Sequence, residues 1–316
     1  MRILVAGWAS FVDGEATAGD VLAMSRVAQI LDDAGLACDQ AFSPVFRPGS
    51  LSLDQAAPEA YSHLVFVCGP AHGAQVRALH RRYARCRRIA VGVSVIDPAD
   101  DAVTGFDRVL ARDGAGAAPD LCFSAAPPAS VPVLATALAP GQAEYGARGR
   151  HGPVHEALGE WLLGLDAARV PIDTRLDSRD WRQCATPDQF AALVARFDVL
   201  VTSRLHGLVF GLRAGVPVLA VDPVGGGGKV AAQASTLGWP GVVTADELVG
   251  PGAAPGDVLD RWWAWCRSER ARALARSLSD QSLSDRPLSA QSLSDRPGED
   301  GLEPALLAVL RVEVPA

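Results

Sequence analysis

No apolar stretch in this chain of 316 residues reaches the length of a bilayer span. The opening Met1-Arg2-Ile3-Leu4-Val5-Ala6-Gly7 is too short for a signal peptide and reads as a first buried strand. Both absences lead us to expect a soluble, cytoplasmic protein with no transmembrane segment. Cysteines are few and scattered, at Cys38, Cys68, Cys86, Cys122, Cys184 and Cys266. No two are close enough for a CxxC or a zinc knuckle, so they read as buried thiols in a reducing compartment. An excess of positive charge is also missing: 29 Lys and Arg stand against 36 Asp and Glu, a net charge of -7, which argues against nucleic acid as a partner. Asp97, Asp100 and Asp101 lack a metal-site pattern, and no metal or cofactor is expected. Gly225 to Gly228 followed by Lys229 resembles a phosphate loop but fails its pattern. Pro223 stands where Gly is required and Val230 where Ser or Thr is required, which excludes an NTPase of that kind.

What the chain has is apolar residues, 49% of the total, enough for two cores at this length. Strands and helices alternate. Ile3 to Ala6, Leu64 to Cys68 and Ile89 to Val95 read as strands, with Val21 to Ala34 and Gln75 to Arg87 as helices between them. Asp20 stands at an expected N-cap, and Gly35 closes that helix. Ser124 to Pro132 is rich in Ala, Pro and Ser and reads as a linker. The alternation then resumes through Val131 to Ala137, His155 to Leu165, Val170 to Thr174 and Asp188 to Phe197. The expected fold is α/β, with two Rossmann-like domains facing a cleft: residues 1–128 and residues 129–270. Residues 277–300, where Gln281 to Pro287 recurs at Gln291 to Pro297, read as a disordered low-complexity Ser/Asp/Pro repeat, and residues 301–316 as a C-terminal helix.

The most informative segment runs from Phe197 to Lys229. A buried strand, Val199 to Val201, ends at Thr202-Ser203, and Arg204 and His206 follow two residues apart. Gly207 to Ala214 reads as a helix stopped by Gly215 and Pro217, and Val218 to Val221 as the next strand. Arg204 and His206 thus fall at the carboxyl end of a strand and the first turn of a helix, where open α/β sheets bind ligands and anions are favoured. Arg grips carboxylate or phosphate in a fork, and His holds a proton near neutral pH. The plainer alternative is that Arg204 pairs with an acid such as Asp198 and that His206 is a satisfied, half-buried side chain.

The order Ser203-Arg204-Leu205-His206-Gly207, helix, Gly215-Val216-Pro217 strand and downstream Lys229 resembles the polysaccharide pyruvyl transferase family. The resemblance is strong over about residues 195–240. It extends more weakly to Thr17-Ala18-Gly19-Asp20, where Ala18 replaces the family's Asn, and to Leu110-Ala111-Arg112-Asp113. It implies two domains in a GT-B-like arrangement. It also implies phosphoenolpyruvate as donor and a sugar or glycan hydroxyl pair as acceptor, with a ketal as product. Such chemistry needs cations for carboxylate and phosphate and one acid to protonate C3. Arg204 fits the first role and His206 the second, as catalytic residues. Arg112, Lys229, Gly207, Ser203, Gly19 and Asp20 are the expected substrate-binding residues.

Plainer readings stand beside these. Arg112 suits a turn with a surface ion pair, Lys229 an exposed position on a mobile glycine loop, and Asp20 a simple cap. His72 is a weaker candidate at a strand end. Arg77 to Arg88 reads as a solvated helix face, or else as a patch for an anionic polymer. Trp262, Trp263 and Trp265 suit packing more than sugar stacking. Two other functions remain open: a nucleotide-sugar glycosyltransferase with Asp246-Glu247 as its acidic pair, and a non-catalytic family member.

Overall fold

The computed structural model describes residues 1–114, 118–127 and 129–284, together with 302 and 306. The chain divides into two compact units, Met1–Ala129 and Ser130–Ala316.

The first unit runs β1 (Ile3–Gly7), α1 (Ala18–Asp33), β2 (Cys38–Gln40), β3 (His63–Val67), α2 (Gly73–Arg82), β4 (Arg87–Val93), α3 (Asp101–Thr104) and β5 (Arg108–Ala111). The second runs β6 (Val133–Ala137), α4 (His151–Gly164), β7 (Ala168–Pro171), α5 (Pro187–Val194), β8 (Val199–Thr202), α6 (Leu205–Arg213), β9 (Val218–Asp222), α7 (Lys229–Thr236), β10 (Val242–Thr244), α8 (Ala245–Val249), α9 (Pro255–Cys266) and α10 (Glu269–Ser284). Each unit holds one parallel five-stranded sheet, ordered β2-β1-β3-β4-β5 and β7-β6-β8-β9-β10. Counting strands within each unit, both orders are 2-1-3-4-5. The direction of winding therefore reverses between β1 and β3 in the first sheet and between β6 and β8 in the second.

Both faces of each sheet are covered, as the strand sequences require. In β1, Leu4 and Ala6 enter one core with Leu64 and Phe66, while Ile3 and Val5 enter the opposite core with Val65 and Val67. In the second sheet Leu200, Val218 and Ala220 point to one side, and Val199, Val201, Leu219 and Val221 to the other. Alternation of period two in strands apolar on both faces is the mark of a sheet sandwiched by helices.

Several expectations are corrected. The cap of α1 is Thr17, whose hydroxyl accepts the Asp20 amide at 3.2 Å; Asp20 is the third helical residue, not the N-cap. The Thr17 hydroxyl in turn donates to the Asp20 carboxylate, so the cap is a side-chain pair rather than a full capping box. The disorder expected from residue 277 does not hold for residues 277–284. Helix α10 continues through Ser284, because Ala271, Leu274, Ala275 and Leu278 recur at helical spacing and pack on the second core. The remaining repeat and nearly all of the expected helix 301–316 lie outside the described residues. Edge strand β2, Cys38–Gln40, was not legible in a polar tripeptide. Part of the basic run is engaged locally, while Arg81, Arg85 and Arg87 are exposed. Arg77 pairs with Asp100 at 2.9 Å, Arg82 donates to the Asp54 carbonyl, and Arg88 donates to the His80 carbonyl. The tryptophans of α9 pack: Trp265 sits edge-on to Trp239 at 5.0 Å and to Trp262 at 5.5 Å, and Trp263 is buried.

The buried histidines make stability fall on acidification. Burial lowers the pKa of His80, His151 and His155 below the ordinary 6.5 by disfavouring the imidazolium. The unfolded chain therefore binds more protons as pH drops through 6.5, and stability is lost there. A second loss follows near 3.8, where carboxylates held low in the fold take up protons on unfolding. These include Asp39, lowered by its hydrogen bond from Arg2, and Asp120, lowered by the Cys122 backbone N–H. Thermal unfolding followed from neutral to acid pH should show both steps. A flat profile down to the carboxylate range would contradict the first.

Candidate active site

Parallel sheets place their loops at the carboxyl ends of the strands, and the reversal point leaves a crevice between diverging connections. In the second unit the crevice between β6 and β8 is built by backbone pairing. The Ser203 amide donates to the Ala137 carbonyl at 3.2 Å, and the Ala139 amide donates to Ser203 Oγ at 2.8 Å. Arg204 Nε donates to the Leu138 carbonyl at 3.1 Å. A cavity of about 190 Å³ opens here, lined by Ala139 and Gln142 after β6, Thr174 after β7, Ser203 to His206 after β8, and Lys229 after β9. That is about six water volumes, room for a small organic phosphate. Among the described residues no carboxylate lines it. A larger cavity, about 410 Å³, lies at the amino ends of β8 and β9 around Asp198, Pro217 and Arg272, the edge from which ligand loops do not project.

Four expected site residues therefore meet in one cavity: Ser203, Arg204, His206 and Lys229. Arg204 is the N-cap of α6, and Leu205 and His206, whose N–H groups belong to the first helical turn, line the same cavity. Its ion-pair partner is Asp173 at 3.2 Å, not Asp198, whose carboxylate instead accepts the Val133 amide at 2.7 Å. With Nε on Leu138 and Nη2 on Asp173, Nη1 remains for a ligand. Asp173 was not read from the sequence. Burial alone would raise its carboxyl, but hydrogen bonds from Arg175 and the charge of Arg204 outweigh this and hold it below the usual range. His206, the second residue of α6, is exposed and has no hydrogen-bond or ion-pair partner among the described residues. Lys229 Nζ lies 6.0 Å from the Tyr145 ring centroid.

Gly207 does not line the cavity; it is buried beneath it. A Cβ at Gly207 would stand 2.2 Å from Thr202 Oγ1, and one at Gly211 would stand 2.4 Å from Val218 Cγ2. The two glycines let α6 lie directly on β8 and β9. Gly207→Ala should therefore destabilise by about 1–3 kcal/mol through overpacking. Chemical denaturation measures this, and unchanged stability would argue against so close a packing.

The glycine loop is tied down rather than open. The Gly225, Gly226, Gly227 and Gly228 amides donate to Arg148 O, Asp246 Oδ2, Val224 O and Asp222 Oδ2 respectively. No glycine N–H of the loop is left to cradle phosphate, so Lys229 is the part of this segment that meets the cavity. The proposed acidic pair is equally engaged: Glu247 closes a capping box with Thr244, and Asp246 holds Gly226.

Arg112, Gly19 and Asp20 lie in the first unit. Arg112, just past β5, donates through Nε to Ser94 Oγ at 3.2 Å and through Nη1 to Asp120 at 2.8 Å and to Cys68 Sγ at 3.5 Å. Cys68 has φ +62°, the one left-handed non-glycine residue among those described, and the charges of Asp120 and Asp20 both act on its thiol. Burial pushes that thiol up to about 11, so it is no nucleophile at neutral pH. Trp8, just past β1, donates its indole N–H to the Pro70 carbonyl, just past β3, at 3.1 Å. Glycine is required at position 69, where φ is +67° and a Cβ would stand 2.1 Å from the Trp8 ring. Asp20 accepts the Thr17 hydroxyl at 2.7 Å, and Gly19 beside it lies in the first turn of α1. His72 pairs with Asp100 at 2.8 Å.

Sequence reasoning also missed His155, whose Nε2 lies 3.0 Å from Ser203 Oγ, and His151, buried one turn earlier on α4 with Nε2 unpartnered. Asp222 was missed too. Its wholly buried carboxylate accepts the amides of Val224, Gly228 and Ala231. Among the described residues no group of His, Cys, Asp and Glu is placed to hold a metal ion, and no helix is long and apolar enough to cross a membrane.

Residues 104–223 match the model of the polysaccharide pyruvyl transferase family, a span that contains Arg112, Ser203, Arg204 and His206. No curated protein matches the chain. Among solved structures, the chain is similar to the glycotransferase of kitacinnamycin, at 13% identity over 89% of this chain and 94% of that one, TM-score 0.32. It is also similar to the spinosyn rhamnosyltransferase SpnG complexed with thymidine diphosphate, at 13% identity over 89% and 96%, TM-score 0.33. A third is the E. coli heptosyltransferase WaaC with ADP, at 13% identity over 86% and 100%, TM-score 0.28.

Proposed function

Starting from the match of residues 104–223 to the polysaccharide pyruvyl transferases, we propose that this chain transfers a pyruvyl group from phosphoenolpyruvate to two hydroxyls of a glycan or glycan precursor. The observation that carries the reading is one cavity at the carboxyl edge of the second sheet. It combines two cations, Arg204 held by Leu138 and Asp173 and the exposed Lys229, with a helix N-terminus and an imidazole, and no carboxylate among the described residues lines it. Such a set suits a small trianion with a proton-demanding carbon.

In this reading Arg204, oriented by Asp173 and Leu138, presents its free guanidinium edge to the donor carboxylate. Lys229 and the first N–H groups of α6 take the phosphate. His206 as the acid protonates C3 of the enol phosphate, which makes C2 electrophilic. One acceptor hydroxyl adds to C2, phosphate departs, and a second hydroxyl closes the ketal. The charge that develops on phosphate as its bond to C2 breaks is stabilised by groups already in place, the arrangement that lowers a barrier most. The six cysteines are all unpaired, which fits a reducing compartment, and we place the reaction in the cytoplasm.

Thermal unfolding with phosphoenolpyruvate, inorganic phosphate and a panel of nucleotide sugars tests the reading. A ligand at about 100 times its Kd adds about 2.7 kcal/mol. Phosphoenolpyruvate should stabilise more than phosphate does, and Arg204→Ala should abolish the difference. Stabilisation by a nucleotide sugar alone would replace this reading with glycosyl transfer. No response to any of them would leave a fold without this activity.

A further inference from the structure

Pyruvyl transfer needs a base as well as an acid, because each acceptor hydroxyl must lose its proton as it bonds to C2. No carboxylate among the described residues lines the cavity, and His206 is assigned the role of acid, so the cavity wall has no obvious base. The hydrogen-bond account of Ser203 supplies one. Its Oγ accepts the Ala139 amide at 2.8 Å and lies 3.0 Å from His155 Nε2. A hydroxyl has one proton and two lone pairs. If Ser203 donates its proton to Nε2, one lone pair remains, on an atom of a residue that lines the cavity.

We propose that Ser203 and His155 form a proton relay that serves the acceptor hydroxyl, with His155 as a positioning residue behind Ser203. This inference rests on the pyruvyl-transfer reading. The acceptor oxygen forms its bond to C2 while its proton passes to Ser203 Oγ and the Ser203 proton passes to His155 Nε2. Serine is regenerated, His155 becomes imidazolium, and nothing is oxidised or reduced. Over the whole reaction the two hydroxyl protons balance the one taken by C3 and the one that leaves with hydrogen phosphate.

The surroundings suit a neutral imidazole in the resting protein. His155 lies on α4, half-buried, with the His151 ring edge-on at 6.0 Å. Burial, and then His151, lower its pKa, so it starts as an acceptor at neutral pH. The i, i+4 spacing of the two histidines sets both on one helix face, which is how a helix running beside β6 reaches the loop after β8. The relay requires the tautomer with the proton on Nδ1. With the proton on Nε2 instead, Ser203 Oγ would be saturated by two donors and unable to accept a third.

Two measurements test the inference. The first uses nitrogen NMR of the histidines in the free full-length protein, with His155→Phe to assign the signal. We expect a neutral ring with Nε2 unprotonated, and a shift of that resonance in Ser203→Ala. A proton on Nε2 overturns the relay whatever the substrate is. The second measures single-turnover phosphate release from phosphoenolpyruvate with methyl hexopyranosides bearing free 4- and 6-hydroxyls as probe acceptors, beside the Kd for phosphoenolpyruvate. His155→Phe should slow transfer by about 10²–10³-fold while the Kd changes less than about threefold. The double variant with Ser203→Ala should be no slower than the slower single variant, as for residues acting as one unit. Unchanged transfer, additive losses, or binding and transfer that fall together would overturn it. Should the wild-type protein neither bind nor consume phosphoenolpyruvate, the pyruvyl reading falls, and the tautomer alone then decides whether Ser203 can accept a proton.

Discussion

Replacing His206 by Asn is expected to lower kcat for pyruvyl transfer by about 10²–10⁴-fold, with little change in the Kd for phosphoenolpyruvate. The asymmetry follows from where the side chain stands. His206 is exposed at the second position of α6 and has no hydrogen-bond or ion-pair partner among the described residues, so its loss breaks no pair and opens no core. Stability should stay within about 0.5 kcal/mol, as for surface substitutions away from such features. In the proposed reading the anion contacts belong to Arg204 and Lys229, and these survive. Only the proton for C3 is missing, and that is a need of the transition state rather than of the bound donor. Stopped-flow transfer and calorimetric binding on the same variant separate the two effects. A fall in affinity as large as the fall in rate would make His206 an anion contact and leave the acid unassigned.

The parts of this site legible in the sequence are those that lie close together along the chain. Ser203, Arg204, His206 and Lys229 fall within 27 consecutive residues, and Gly215 and Pro217 punctuate the segment clearly enough to place strand, helix and strand. The parts not legible come from elsewhere. Asp173 reaches Arg204 because β7 lies beside β6, and His155 reaches Ser203 because α4 follows β6. Neither adjacency can be read from periodicity, which gives the face of an element but not its neighbour. The same limit applies to Arg112, for which an ion pair was expected but whose partners Asp120, Ser94 and Cys68 were not legible. Composition misled at α10, where a Ser- and Asp-rich stretch obscured the helical spacing of Ala271, Ala275 and Leu278. The glycine loop misled differently. Four glycines suggest freedom, yet each amide there has a partner, and glycine meets the backbone shape, with φ of +73° at Gly226 and +85° at Gly227.

Asp222→Ala is the substitution expected to cost the most stability, and it should also weaken donor binding without touching substrate. The Asp222 carboxylate is wholly buried at the end of β9 and accepts three backbone amides. Val224 N–H lies 3.0 Å from Oδ1, and Gly228 and Ala231 N–H each lie 2.8 Å from Oδ2. It ties the loop start to its end and caps the first turn of α7, where the neighbouring Gly228 has no side chain to do so. Alanine would leave up to three amides without an acceptor, each costing about 1–3 kcal/mol where water cannot replace it. Partial hydration of the loop brings the expected total to about 3–5 kcal/mol, the range kept for losses of this kind. Asn keeps one acceptor oxygen but turns a donor toward amides that need acceptors, so Asp222→Asn should recover only part of the loss. Lys229 is the first residue of α7, and its place in the cavity depends on that turn. The Kd for phosphoenolpyruvate should therefore rise about tenfold or more in Asp222→Ala, measured well below its lowered Tm. A variant with wild-type Tm would mean the three amides find other partners. A variant with lowered Tm but unchanged affinity would remove Lys229 from the donor site and leave Arg204 and the α6 N-terminus to hold the anion alone.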